Sequence, residues 1–214
     1  MTAKLSTGAD MRVTGSGPGA VVCVNGGQGH EVAGTWSATL EWLVARLAPA
    51  FPRLRFGEVR YRVKSWKQLD NCIADARAAI AELGGERTIM LGFSMGGAVS
   101  IAAADDARVV GVLGLGPWIP DRLDVSTLRG KRLDVIHGGL DRWLPDIPGV
   151  SPSSSRHGFE RALAAGATGT YTTIAGAVHG IAVRLPGDGV LPLPRAGRWA
   201  ELVGAELRRF EAAY

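Results

Sequence analysis

The stretch IMLGFSMGGAVSIA, residues 89–102, decides the fold of this chain. It opens as a short apolar run of the kind that forms a buried strand, and it ends in the small residues of a closely packed helix. Ser94 stands at the junction, inside the pentapeptide Gly-Phe-Ser-Met-Gly of residues 92–96. A serine in G-x-S-x-G between a strand and a helix is typical of a nucleophile on a sharp turn. We therefore predict that Ser94 is a catalytic nucleophile.

The glycines of this turn have a steric reason. Side chains two residues before and after the serine would collide with it or with the following helix, so Gly92 and Gly96 fit the pattern. The helix starts at the serine, and the amide of Met95 would point toward the site where negative charge develops in acyl transfer. The alternative is a plain glycine turn whose serine only caps a helix.

Outward from this stretch, short apolar runs alternate with amphipathic segments. Several runs are apolar at consecutive positions, which favours strands covered on both faces, as in a parallel sheet. The predicted strands are residues 11–14, 20–24, 54–59, 88–91, 109–113, 133–137 and 170–174.

The intervening segments carry helical periodicity and helix-ending residues. Ser65 is expected to cap a helix that ends at Gly84-Gly85. The other predicted helices are residues 35–48, 95–104, 155–165 and 197–213. Strands alternating with helices predict an α/β fold with a mainly parallel sheet, in which ligands bind beyond the carboxyl ends of the strands.

A serine nucleophile needs a base, and the chain has four histidines. His179 lies in the loop GAVHG after the last predicted strand, which makes it the favoured base. His30 lies in an early glycine-rich loop. His137 ends a strand and reads as a packed histidine, and His157 reads as a solvated one.

The histidine in turn needs an orienting carboxylate. Asp141 in HGGLDRWLP follows the strand at 133–137 and is favoured. Asp121 is the serious rival, because an acid after the strand at 109–113 would also reach the base. Asp124 is weaker, and Asp146 is expected to lie past the mouth of the site.

An oxyanion hole needs two backbone N–H donors. One is expected from Met95. The other is expected from the loop NGGQGHE after the strand at 20–24, where Gly27 or Gln28 would donate according to register. The alternative for this loop is an ordinary strand-to-helix turn.

Together these residues resemble the α/β-hydrolase family. GFSMGG is similar to its nucleophile elbow, HGGLDRWLP to its acid loop and GAVHG to its histidine loop, and the chain order Ser94, Asp141, His179 is the family's order. The resemblance extends from residue 20 to the last helix. It departs from the family at Asn25-Gly26, where His-Gly is usual.

The resemblance implies one domain over residues 1–214, with a mostly parallel central sheet and helices on both faces. Many members insert a lid after the sixth family strand, but here GLGPWIPDRLDVSTLRG is too short for one. The expectation is a small, lidless serine esterase, similar to carboxylesterases and dienelactone-hydrolase-like proteins. Dienelactone hydrolases proper use a cysteine nucleophile, which argues against that activity.

The substrate is less determined than the machinery. Trp36, Trp118 and Trp143 follow candidate site loops and are expected to wall an acyl pocket, with core or surface packing as the alternative. A small-molecule ester with a short or bulky acyl group is the expected substrate. Thioesters or amides would suit the same triad, and a non-catalytic binding protein on this fold is the alternative from another class.

Composition excludes several other classes. The net charge is only +4 and the basic residues are scattered, so no nucleic-acid partner is expected. The two cysteines lack metal-binding spacing, and neither a metal nor another cofactor is expected. GSGPGA at residues 15–20 precedes a strand, whereas a dinucleotide fingerprint must follow one.

Hydropathy bears on the compartment. The first residues lack the apolar stretch of a secretory signal, and no apolar run approaches the roughly 18 residues of a membrane span. No membrane partner is expected, and the expected compartment is the cytoplasm. The sequence does not indicate an oligomeric state.

Overall fold

The computed structural model describes residues 2–142 and 149–212. Eight strands form one sheet in the spatial order β1-β2-β4-β3-β5-β6-β7-β8. They are β1 Thr2–Lys4, β2 Asp10–Thr14, β3 Gly19–Val24, β4 Leu54–Arg60, β5 Thr88–Phe93, β6 Val109–Leu115, β7 Arg132–Gly138 and β8 Tyr171–Ile174.

The sheet is mostly parallel, as the apolar strand pattern predicted. Strands β4, β3, β5, β6, β7 and β8 pair in parallel, whereas β1 and β2 form an antiparallel edge. All seven predicted strands are present. The three-residue β1 lacked an apolar pattern and was missed.

The described residues form five α-helices, namely α1 Ala38–Leu47, α2 Leu69–Leu83, α3 Met95–Ala102, α4 Pro152–Ala164 and α5 Ala196–Ala212, of which α5 follows the last strand. Three predicted starts were wrong. Helix α4 begins three residues earlier than predicted, because the Ser151 side chain accepts a hydrogen bond from the Ser154 amide and caps it there. Helix α1 begins three residues later than predicted, because the Ser37 side chain accepts a hydrogen bond from the Leu40 amide and caps it there. Ser65 caps the short 3-10 helix Trp66–Gln68, which precedes α2.

The helices cover both faces of the sheet. Apolar residues of α2, α3 and α4 pack in one core cluster, and those of α1 and α5 pack in the other. The alternation of strand side chains divides β3 between them, with Val22 in the first cluster and Cys23 in the second. Cys72 of α2 lies in the first cluster, so each core contains one buried thiol.

Two connections bear on the site. Residues 116–131, between β6 and β7, contain only the 3-10 helix Ser126–Leu128, so no helical lid is inserted there. After β8 the chain forms an unpredicted hairpin of β9 Ala182–Arg184 and β10 Val190–Pro192. No helix among the described residues is long and apolar enough to cross a membrane.

Candidate active site

The predicted chemical residues meet at one edge of the sheet because the parallel strands end in register. Val24 of β3 pairs with Gly92 of β5, and Gly92 pairs with Gly114 of β6. Farther along, Gly138 of β7 pairs with Ile174 of β8. The loops after these strands therefore leave from the same edge.

Ser94 occupies the turn between β5 and α3 with φ 56° and ψ −119°. This backbone region is costly for a residue with a Cβ atom and is retained where surrounding contacts impose it. Here the Ser94 amide donates to the Leu115 carbonyl, and the Ser94 carbonyl accepts from the amides of Gly97 and Trp118, each at 2.9 Å. The neighbouring strand and loop thus fix the strained turn.

The glycines beside Ser94 are required by close backbone contact. A Cβ atom on Gly92 would lie 2.3 Å from the Gly96 carbonyl oxygen, and one on Gly96 would lie 2.3 Å from the Val24 carbonyl oxygen. The Ser94 side chain is partly exposed between them. Its hydroxyl has no hydrogen-bond partner among residues 2–142 and 149–212.

Asp141 and His179 form a close acid–base pair. The distance from His179 Nδ1 to Asp141 Oδ2 is 2.6 Å. Asp141 is buried, whereas the His179 side chain is 14% exposed, and its ring centroid lies 5.0 Å from that of Phe93. Since Phe93 immediately precedes Ser94, the imidazole lies beside the serine turn. Bonding at Nδ1 to a carboxylate leaves Nε2 available to a substrate or nucleophile.

The surroundings of Asp141 favour its charged form. Burial raises the pKa of this carboxyl group, but hydrogen bonds from His137 and His179 outweigh burial and hold the pKa below its usual value. The backbone is also shaped to fit the pair. Gly116 has φ +51°, and a Cβ atom there would lie 3.1 Å from His179 Nδ1 and 3.3 Å from Asp141 Oδ2.

The rival acid lies elsewhere. The Asp121 side chain is 82% exposed, and its Oδ1 is 3.5 Å from His157 Nε2 and 3.6 Å from Arg161 Nη1. Asp124 accepts a hydrogen bond from the Ser126 amide, and Asp146 lies outside the described residues. His30 is exposed. Among the candidate acids within the described residues, Asp141 is the one that contacts His179.

The loop after β3 lies against the serine turn. A Cβ atom on Gly26 would lie 3.1 Å from Ser94 Cβ, and one on Gly27 would meet the Met95 side chain. The Gly26 amide is occupied by the Asn25 side chain at 2.7 Å, and the Gln28 carbonyl accepts from the Trp66 amide. Of the two candidate oxyanion donors, Gly27 lines a cavity beside Ser94 and Gln28 does not.

A cavity of about 300 Å³ opens beside Ser94. It is lined by Gly27, Trp66, Ser94, Met95, Trp118, Gly149 and Val150. No charged side chain is among these lining residues, so the described walls suit an uncharged apolar group.

Two of the three predicted tryptophans lie within the described residues, and they line different hollows. Trp118 lines this cavity. Trp36 lines a separate hollow of about 610 Å³ with Arg12, Arg60 and Arg184, because the loop after β3 carries it away from the serine turn. Trp143 lies outside the described residues.

Comparison with solved structures gives many matches to hydrolases. An esterase of Pyrococcus furiosus aligns with 98% of this chain and 90% of its own, with a TM-score of 0.69 and 14% identity. A monoacylglycerol lipase of Paleococcus ferrophilus aligns with 93% of this chain and 98% of its own, with a TM-score of 0.66 and 15% identity. The chain has the α/β-hydrolase fold.

A third structure with the α/β-hydrolase fold is a dienelactone hydrolase-like promiscuous phosphotriesterase from metagenomic libraries. It aligns with 97% of this chain and 95% of its own, with a TM-score of 0.64 and 16% identity. No family model matches the sequence, and no curated protein is significantly similar to it. The likeness of this chain to α/β-hydrolases therefore lies in its fold and in short local motifs.

Within this α/β-hydrolase fold, sequence reasoning missed two site residues. Trp66 follows the expected helix cap Ser65, but it stands in the 3-10 turn before that helix and lines the cavity. His137 is packed, as expected, but the sequence did not indicate that its Nε2 lies 3.0 Å from Asp141 Oδ2. The spacing of four residues between His137 and Asp141 was the available signal.

Outside the Ser94 site, this α/β-hydrolase fold has another hollow but no metal-binding group within the described residues. A hollow of about 190 Å³ at Ile89, Gly111 and Arg132 lies at the amino-terminal ends of β5, β6 and β7, opposite the edge where ligands bind in such sheets. Within residues 2–142 and 149–212, no group of three or more histidine, cysteine, aspartate or glutamate side chains has the arrangement of a metal site.

Proposed function

We propose that this protein is a serine hydrolase that cleaves carboxylic esters through an acyl-enzyme. The observation that carries the proposal is the strained Ser94 turn at the same sheet edge as the 2.6 Å Asp141–His179 pair. Ser94 is the nucleophile, His179 the general base and acid, and Asp141 the group that orients the imidazole.

In acylation, Ser94 Oγ attacks the ester carbonyl carbon while His179 Nε2 accepts the hydroxyl proton. The carbonyl oxygen becomes an oxyanion, which the amides of Met95 and Gly27 stabilise by donating hydrogen bonds. The tetrahedral intermediate collapses, the bond to the alcohol oxygen breaks, and His179 gives its proton to the leaving alcohol. The ionised Asp141 stabilises the imidazolium that exists between these transfers.

In deacylation, water attacks the acyl-serine carbonyl while His179 accepts one of its protons. The second tetrahedral intermediate releases the carboxylic acid product, and His179 returns the proton to Ser94. The low pKa of Asp141 supports this cycle, since the carboxylate stays ionised at neutral pH. No cofactor enters any of these steps.

The cavity supports an uncharged, short or bulky acyl group. Its volume of about 300 Å³ and its walls of Trp66, Trp118 and Val150 offer apolar contact next to the nucleophile. The short connection after β6 adds no helical lid over this edge. Esters that are small or water-exposed at the alcohol side therefore fit the proposal better than long lipids.

The proposal is tested by Ser94→Ala. This change removes the attacking oxygen, so covalent labelling by a fluorophosphonate should disappear and hydrolysis of p-nitrophenyl acetate and butyrate should fall to the background rate. The measurements are intact-protein mass after labelling and initial hydrolysis rates.

The matched control is Ser154→Ala, the same change at an exposed serine of α4. It should label and hydrolyse like the wild type. Undiminished labelling of the Ser94→Ala protein would rule out Ser94 as the nucleophile, and an unlabelled, inactive wild type would favour a non-catalytic binding protein.

A further inference from the structure

His137 is a buried histidine that the triad chemistry does not use. It lies near the end of β7, four residues before Asp141, and is inaccessible to solvent. Its Nε2 atom is 3.0 Å from Asp141 Oδ2 and 3.0 Å from the carbonyl oxygen of Val150. The ring stacks on Tyr171 with a centroid distance of 6.0 Å.

These contacts define the tautomer of His137. An ionised carboxylate and a backbone carbonyl are both acceptors, so Nε2 must carry the hydrogen that they share. The buried Nδ1 atom has no hydrogen-bond partner among the described residues. The neutral ring with hydrogen on Nε2 is the form that satisfies the contacts, because a second hydrogen on Nδ1 would be buried without an acceptor.

Val150 is held at both of its backbone groups. Its amide donates to Asp141 Oδ1 at 3.0 Å, and its carbonyl faces His137 Nε2. The adjoining Gly149 packs so closely that a Cβ atom there would lie 2.6 Å from Asp141 Oδ1. Gly149 and Val150 are also walls of the cavity beside Ser94.

We propose that His137 is a positioning residue that ties the Asp141 carboxylate to the cavity wall at Val150. One N–H group contacts both the acid that orients His179 and the backbone of the residue that bounds the acyl cavity. A shift of either one would disturb the other. The catalytic part of this proposal rests on the proposed ester hydrolysis, whereas its structural part does not.

Three substitutions separate the N–H donor from the bulk of the ring. In His137→Gln, the side-chain amide nitrogen stands the same number of bonds from Cα as Nε2 and can donate to the same acceptors. In His137→Asn the amide is one bond shorter and cannot reach them. In His137→Phe the ring and its stacking on Tyr171 are kept, but both nitrogens are lost.

The first measurement compares kcat/KM for the acetate and butyrate esters. For His137→Asn and His137→Phe we expect kcat/KM to fall by about tenfold or more, since small misplacements of catalytic groups are costly. The loss should be larger for p-nitrophenyl butyrate, through KM, than for acetate, because a longer acyl chain would fill more of the cavity that Val150 lines. His137→Gln should stay within about threefold of wild type for both esters.

The second readout does not depend on activity. Hydrogen exchange of the Val150 amide, followed by NMR, should be slow in wild type and His137→Gln, and faster in His137→Asn and His137→Phe. This measurement still decides the structural part if the wild type proves not to be an esterase. Should His137→Phe fail to fold, the Gln–Asn pair carries the comparison alone.

Two results would overturn the proposal. One is a His137→Gln protein as impaired as His137→Asn in both readouts. The other is an equal loss for acetate and butyrate together with unchanged exchange of the Val150 amide, which would mean that His137 only fills space.

Discussion

Two regions of this molecule each hold a tryptophan near the loop after β3, and they differ in charge. The cavity beside Ser94 is walled by Trp66, Trp118 and Val150. The hollow around Trp36 is lined by charged residues, among them Arg12 and Glu41. The two share no lining residue, so a tryptophan placed soon after a strand does not by itself identify a substrate wall.

Charged side chains around the Trp36 hollow pair with one another and with neighbouring side chains. The guanidinium groups of Arg12 and Arg60 lie 4.7 and 5.3 Å from the centre of the Trp36 ring. Arg12 also binds Glu58 and Glu41, and Arg184 binds Glu41. The Trp36 ring is thus held by cation–π contacts with arginines of β2 and β4. The cavity beside Ser94, in contrast, presents an unpartnered hydroxyl and apolar walls to a ligand.

The comparison is tested most strongly by removing one carboxylate charge from each region. Asp141→Asn should lower kcat/KM for p-nitrophenyl acetate by about 10⁴-fold, because an amide neither fixes the His179 tautomer nor stabilises the imidazolium. Steady-state hydrolysis measures the effect.

Glu41→Gln is the matched change in the charged hollow. It should leave kcat/KM unchanged and lower the free energy of unfolding by less than about 1 kcal/mol, as expected for a partly exposed ion pair. Loss of activity in this variant would show that the two regions are coupled.

Truncation of the tryptophans should have a smaller effect. Trp66→Ala and Trp118→Ala each remove a cavity wall, so kcat/KM for butyrate should fall roughly tenfold relative to acetate. Trp36→Ala should keep the wild-type ratio of the two esters, although its melting temperature should fall because packing and two cation–π contacts are lost. A changed ester ratio in Trp36→Ala would place the charged hollow in the substrate path.

The smallest expected difference between the two regions is in how their carboxylates contribute to stability at acid pH. Burial raises the pKa of Asp141, but the hydrogen bonds from His137 and His179 lower it by more, so the pKa in the folded protein is below its usual value. Contacts with Arg184 and Arg12 likewise lower the pKa of Glu41. Each carboxylate therefore adds stability above its unfolded pKa of about 4, and this contribution is lost as pH falls through the lower folded value. The free energy of unfolding, measured with urea, should therefore decline from pH 6 to pH 3. In 1 M NaCl the contribution of the partly exposed Glu41 to this decline should become smaller, whereas that of the buried Asp141 should stay the same.

Much of the scaffold could be predicted because its signals are local. Apolar runs located all seven predicted strands, and the glycine spacing around Ser94 located the turn. Helix α1 was placed too early, since the capping hydroxyl of Ser37 decides its start and the apolar periodicity alone does not locate that cap. Hairpin β9–β10 has too few apolar contacts to leave a pattern.

The candidate site was predictable where a residue lies in the loop that follows a strand. Asp141 lies in the loop after β7 and His179 in the loop after β8, and the pairing of these two neighbouring strands brings the loops to the same edge. Trp66 and Val150 reach the cavity through contacts between distant loops, such as the hydrogen bond from the Trp66 amide to the Gln28 carbonyl. Such contacts depend on tertiary packing and leave no periodic trace in the sequence.

The two buried cysteines give the protein an internal reporter of its own opening. Burial raises the pKa of both thiols, that of Cys72 to about 11, so little thiolate is available to an alkylating reagent while the structure is closed. Cys23 belongs to the core under α1 and α5, and Cys72 to the core under α2. The order in which maleimide reacts with them would therefore tell which layer of the molecule separates first.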